Sequence, residues 1–358
     1  MSRDTTADRL HQHVQTIHRQ FPHGFSDLLD WRSGRDLPDW LFVPLDAGIH
    51  AVRAEELRQQ RPETAARRLY ILTHAPVVTM LGTWRISRGV YEFAPELLTA
   101  LWSTPLKGEI PAQVLQGLPE FAPYLVLPEG VTYLGQALPG VWASLDQRPD
   151  GTPWLRLLLD MDMPGSLPLL NLSLPLQGTL DQAIDAMQGR ALDNWAAGIE
   201  LGGLEDEAAK QAALGVNLDE RQLWQGVISL LLYLCNRHAD YPTATRPQRA
   251  TAKDVRRSLH PQAQEVKRWV LGHRTAQAIR EARQPPAGTA TGREMPTHWR
   301  NPRWTVVWTG KGKETPEVRW EPGLLVRADR LDEEHRVVVH PVKRNQGGLT
   351  KHTQKHAK

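Results

Sequence analysis

Apolar residues in this chain recur at two spacings, and the changes between them mark out its elements. Between residues 4 and 20, Leu10, Val14 and Ile17 fall on one helical face. Ala54–Arg68 reads as helix broken near Pro62, and the apolar run Leu69–Leu81 can continue it, although Pro76 should interrupt or kink it. Trp84, Arg85 and Arg88 resemble one helix face, with Gly89 as the C-cap. Pro95–Trp102 predicts a short helix with Leu97, Leu98 and Leu101 inward. Thr179-Leu180-Asp181-Gln182 is a capping box, opening a helix that buries Leu180, Ile184 and Met187. Asp219–Arg237 is apolar on nearly every side, through Leu223, Trp224, Val227, Ile228, Leu231, Leu232 and Cys235, so it belongs at the centre of the domain. Gln262–Arg283 predicts a strongly basic helix with Val266, Trp269, Val270 and Ala276 as its apolar stripe.

Short apolar, β-branched and aromatic runs bounded by turn residues predict strands. Trp40–Val43 is a short one and Tyr124–Leu127 a buried one. Val141–Asp146 and Trp154–Asp160 should pair around the turn Arg148–Gly151, with Leu169–Leu174 as a further strand. In His298–Trp320, Thr305–Trp308 and Glu317–Trp320 flank the turn signal Gly310–Lys313 and predict a hairpin of Trp and Arg side chains. Leu324–Arg327 and Val337–Val339 predict further short strands. The class is therefore α+β: a mixed helical and antiparallel-sheet main region over residues 1–283, a Pro/Gly linker over 284–291, and a small β-hairpin-rich Trp/Arg segment over 292–344. Residues 345–358 form a Lys/His-rich tail with almost nothing to bury, and disorder is expected there.

Composition alters this picture in two places. The 358 residues are 41% apolar and 23% charged, ordinary for a globular protein of about two domains. No signal-like start is present, and the longest apolar stretch, Val227–Cys235, is far short of the roughly 20 residues a membrane span needs, so a cytoplasmic protein without a membrane partner is expected. A single cysteine, Cys235, rules out an internal disulfide. Net charge is only +3, but acids exceed bases by roughly eight between Asp150 and Asp240, and bases lead by roughly a dozen from Thr243 onward. The basic third suits either an acidic or polyanionic partner or the acidic middle of the same chain.

No phosphate-loop, dinucleotide, nucleophile-elbow or zinc-protease motif occurs, and no cofactor is implied. Cys235, on an apolar helix face, reads as an inert thiol. Asp160 and Asp162, two acids at a strand end, could hold a magnesium ion for a metal-dependent nuclease, or be solvated loop acids. The histidines show no paired metal-ligand spacing, and solvated side chains are expected. The Trp/Arg stretch is the best binding candidate, with Trp299, Arg300, Arg303 and Arg319 alongside Trp304, Trp308 and Trp320. Aromatic faces stack on bases while guanidinium groups meet phosphates, the same residue types dominate peptide interfaces, and the tryptophans could equally fill a small core.

Two ordered segments resemble a known family. The first runs Trp84-Arg85, Gly89-Val90-Tyr91, Thr104-Pro105, Pro111, Leu118-Pro119-Glu120 and Tyr124; the second runs His298-Trp299-Arg300, Trp304, Trp308-x-Gly310 and Val318-Arg319-Trp320-x-Pro322. Their order and spacing are similar to the second type V-A anti-CRISPR family, over about Leu69 to Val326. The resemblance implies a protein that is not a conventional enzyme. It would recognise a protein or nascent polypeptide target, with RNA or the ribosome nearby, and lower production of a CRISPR effector through translation-dependent loss of its message. Relatives carry His and Tyr within the Trp hairpin, where this chain has Arg303, Thr305 and Val307. Trp304, Trp308 and Trp320 are thus expected to be structural, and the positions between them to carry target choice. Arg85 and Arg88 are candidate contacts from the first segment. A nucleic-acid-binding protein of a mobile element is the alternative function.

Overall fold

In the strand β5 (Gly140–Gln147), Val141, Ala143 and Leu145 point into one core and Trp142 into another, as a strand with both faces covered requires. The computed structural model describes residues 3–62, 64–161, 169–187, 207–242, 246–251, 255, 265–283 and 298–326. Its centre is a six-stranded sheet in the order β7-β6-β5-β2-β1-β8, made of β1 (Gly89–Phe93), β2 (Tyr124–Val126), β5, β6 (Pro153–Asp160), β7 (Leu169–Pro175) and β8 (Lys267–Leu271); β3 (Thr132–Tyr133) and β4 (Gln136–Ala137) pair separately. The α+β class holds. The β5–β6–β7 meander is antiparallel as expected, whereas β2, β1 and β8 run parallel to one another.

Helices cover both faces. On one side α1 (Arg3–Gln20), α2 (Gly24–Arg32), α3 (Leu45–Arg58) and α4 (Ala65–Ser87) enclose Leu10, Ile17, Phe21, Val52 and Trp84 against Val90, Tyr124, Trp142 and Leu158 of the sheet. On the other, α5 (Pro95–Ser103), α6 (residues 180–187), α7 (Glu207–Cys235) and α8 (His273–Arg283) close over Tyr91, Leu125, Leu157 and Leu159. The capping box of α6 forms as predicted: Gln182 N–H donates to Thr179 Oγ1 at 3.3 Å, and Thr179 N–H to Gln182 Oε1 at 3.1 Å. The C-terminal part of α7 is buried on almost every side, as its composition requires.

Several local expectations change. Leu41–Val43 is buried but is not a strand; the Leu41 and Phe42 carbonyls accept from Arg32 Nη1 instead of from a neighbouring strand. The turn between α3 and α4 spans Pro62, and Thr64 Oγ1 caps α4 by accepting from Arg67 N–H at 3.2 Å. Pro76 lies inside a continuous α4; having no N–H, it cannot donate to the carbonyl of Leu72, an exposed residue. Arg88 is the left-handed C-cap of α4, at φ 52°, so Gly89 is free to begin β1. The predicted basic helix over Gln262–Arg283 divides at Gly272 (φ +83°): Lys267–Leu271 pairs with β1 as β8, and only His273–Arg283 is helical. Asp240 accepts from the Arg274 and Thr275 N–H groups and so caps α8 from a distance.

Gly89 is required by a buried acid. A Cβ there would stand 2.0 Å from Glu120 Oε2, which accepts from Ser87 Oγ at 2.9 Å. Burial lifts the Glu120 carboxyl above its usual range, outweighing the Ser87 and Gly89 hydrogen bonds. Because the folded state then holds the proton more tightly than the unfolded chain, stability falls as pH rises from the unfolded value through the raised folded one. Glu120→Gln keeps an acceptor for Ser87 and removes that loss. It is expected to match the parent at pH 4 and to be the more stable of the two at neutral pH in urea unfolding.

Candidate binding face

The Trp/Arg stretch folds as predicted into an antiparallel ribbon of β10 (Arg303–Thr309) and β11 (Thr315–Glu321), turning through Gly310 (φ +81°) and Gly312 (φ +77°). Beside it β9 (His298–Arg300) pairs with β12 (Leu324–Val326). The ribbon's register assigns every side chain a face. Trp304 lies opposite Trp320 and Val306 opposite Val318, and this face packs into the core under α5 and α7. Trp304 Nε1–H donates to Ser229 Oγ on α7, and Trp320 Nε1–H to Thr104 Oγ1 after α5, both at 3.1 Å. These bonds satisfy the only polar atom of each buried indole. Trp320 also meets Tyr233 edge-on, with ring centroids 6.4 Å apart. Trp308 departs from the expected structural role. It shares the inner face but lies nearer the turn, and 44% of its surface is exposed.

The outer face brings together four of the predicted contacts. Thr305 stands opposite Arg319, Arg303 opposite Glu321 and Val307 opposite Glu317. Arg303 Nε–H donates to Glu321 Oε2 at 2.9 Å, and Glu317 Oε1 accepts from Thr309 Oγ1 at 2.6 Å and from Arg237 at 2.8 Å. Arg319 is exposed and makes no ion pair among the described residues. Lys311 and Lys313 extend the positive charge around the exposed turn. At the ribbon's base a cleft of about 490 Å³ opens between α5 and α8, lined by Ser103, Ile279, Asn301 and Pro302. Trp299 and Arg300 belong to β9, but their side chains lie outside the described ones.

Arg85 and Arg88 do not join this face. Both lie at the end of α4, in the helical layer on the opposite side of the sheet. Arg85 stacks over the Phe25 ring, 4.8 Å from its centroid, and Arg88 is buried, donating from Nε to the Arg85 carbonyl. Burial lowers both guanidinium groups from their usual value. Their surroundings are those of packing residues.

Asp160 is likewise not a solvated strand-end acid. It is fully buried, and its carboxylate accepts from Arg9 Nε (3.0 Å) and Tyr124 Oη (2.7 Å) and meets His13 Nε2 (3.0 Å). Arg9 Nη2 also donates to Tyr124 Oη at 3.1 Å. Burial, and then the Asp160 charge, push the Tyr124 phenol well above its ordinary value, so it stays a donor. Protein donors thus occupy the oxygens a metal would need, and Asp162 lies outside the described residues. Among the described residues no group of three or more His, Cys, Asp or Glu is placed to hold a metal. His13, expected to be solvated, is part of this buried network. The sequence pattern contained no sign of it, since Arg9 and His13 look like the polar face of α1. The Cys235 thiol is pushed up to about 12 by burial, in keeping with an inert role.

The described residues thus form a helix-covered sheet with a ribbon that presents arginine, threonine and valine outward. The chain belongs to the AcrVA2-like family, the anti-CRISPR type V subtype A2 family, whose model matches residues 91–328. The crystal structure of AcrVA2 is similar, with a TM-score of 0.59 over 89% of this chain and 99% of that one. At 16% identity that likeness bears on the fold. A comparison with curated proteins found no match. Among the described residues no helix is long and apolar enough to cross a membrane.

Proposed function

We propose that this protein is an anti-CRISPR regulator. It binds a target protein or nascent polypeptide through the ribbon's outer face and represses a host defence effector through translation-dependent loss of its mRNA. The observation that carries this reading is the family match, which spans the ribbon, together with the outward placement of Arg303, Thr305, Val307 and Arg319 on one face. Those side chains are not needed to seat Trp304 and Trp320, so the face can vary while the fold is kept.

The test is co-expression with a type V-A effector whose N-terminal codons are either translated or placed behind a stop codon. Loss of effector protein and message only with the translated form supports the proposal; unchanged levels of both sink it for that target. Arg319→Ala combined with Thr305→Ala is expected to abolish repression, and the exposed Arg319→Ala alone to leave unfolding unchanged within about 0.5 kcal/mol.

A second reading draws on one specific feature, the exposed Trp308 near the turn that carries Lys311 and Lys313. An indole for stacking with cations for phosphates suits single-stranded nucleic acid. It requires RNA or DNA affinity that falls steeply with salt and drops on Trp308→Ala. Binding that is absent or insensitive to salt removes it.

A further inference from the structure

The two ends of the central sheet are finished differently. At one end β8 carries Lys267 and Arg268, charges of the kind that keep an edge strand from pairing with another chain. At the other end β7 reads Leu-Leu-Asn-Leu-Ser-Leu-Pro, seven residues without a charge. Among the described residues β7 pairs only with β6. Leu170 is 36% exposed, and in mid-strand the Asn171 side chain has a buried amide oxygen with no hydrogen-bond partner among the described residues.

The β6–β7 register shows which main-chain groups face outward. Trp154 stands opposite Pro175, and Leu176 N–H bonds back to the Pro153 carbonyl just beyond that pair at 2.9 Å. Trp154 and Pro175 are therefore a non-hydrogen-bonded pair, and the peptide groups of Leu169, Asn171, Ser173 and Pro175 point away from β6. Pro175 has no N–H, which costs nothing on a side that faces out.

We propose that β7 pairs antiparallel with β7 of a second copy of this chain, about a two-fold axis at Leu172, joining the two sheets into one. This register places Asn171 and Ser173 of one protomer opposite Ser173 and Asn171 of its partner. They are outward-facing residues, so each pair exchanges both main-chain hydrogen bonds. Leu169 N–H meets the Pro175 carbonyl of the second copy, the one outward group that Pro175 keeps. Side chains match as well. Leu170, Leu172 and Leu174 meet Leu174, Leu172 and Leu170 on one face. On the other, the uncharged polar side chains of Asn171 and Ser173 stand opposite each other. A strand that is its own complement, uncharged throughout, fits an isologous two-fold contact and suits no charged partner in particular.

The test is sedimentation of the full chain over a concentration series, with two variants. The parent is expected to be a dimer. Ser173→Pro removes an outward N–H and no bond to β6, so it is expected to give a monomer with the parent's circular dichroism. Leu172→Cys is expected to form a disulfide-linked dimer under mild oxidation. Leu172 meets its own copy across a non-hydrogen-bonded site with Cα atoms about 4.5 Å apart, within disulfide reach. Leu170→Cys, which faces Leu174 instead, should not cross-link. A parent that stays monomeric throughout, a dimer that survives Ser173→Pro, or equal cross-linking at positions 170 and 172 would each overturn the proposal.

Discussion

Asp160→Ala is expected to destabilise the folded protein by about 3–5 kcal/mol in urea unfolding, more than any surface substitution. The charge itself is not the reason, since a buried ion pair gains little over well-packed apolar groups once desolvation is counted. The loss arises from what remains. Arg9, His13 and Tyr124 converge on one carboxylate with no exposed surface, and removing it leaves a guanidinium, an imidazole and a phenol without their partner. Arg9 keeps 22% of its side chain exposed and can turn partly toward water, which places the effect toward the lower end of that range. Asp160→Asn retains an acceptor and should cost less. If Asp160→Ala proves nearly neutral, the network does not hold α1 to the sheet.

Trp320→Ala should cost about 3–5 kcal/mol, the usual penalty for emptying a large aromatic site. Trp320 lies against Tyr233 and bonds Thr104, so its loss opens a cavity between ribbon and core and leaves a buried hydroxyl without its donor. Trp320→Phe keeps most of the packing and loses the indole bond, at about 1 kcal/mol. The informative comparison is Arg319→Ala, one residue away in the chain. Its side chain points outward, and its effect on unfolding should be within about 0.5 kcal/mol. Equal effects at 319 and 320 would mean that the ribbon does not pack as described.

The local pattern of the chain reached much of the fold. The β5–β6 hairpin was legible because short, largely apolar runs flank an Arg-Pro-Asp-Gly turn, and the helix at 180–187 because its cap lies within four residues of sequence. The ribbon was legible for the same reason. Gln262–Arg283 misled because a short basic and apolar stretch fits a helical period as well as a strand. Only the pairing of Trp269 with Tyr91, far back in the chain, selects the strand. The buried network was hidden more completely. His13 and Asp160 are 147 residues apart, and each alone looks like an ordinary surface residue.

By itself the sequence determined the α+β class, the existence of a two-faced Trp/Arg ribbon and its family resemblance, because periodicity, turn residues and ordered motifs are local properties. Only the tertiary structure decided which of those tryptophans lie in the core. It also removed Arg85 and Arg88 from the candidate face and turned Asp160 from a possible metal ligand into the anchor of α1. The physical reason is burial. Whether an Arg, Asp or Trp packs, pairs or stays open depends on what the fold brings against it, and those partners lie up to 216 residues away, as Trp320 and Thr104 do.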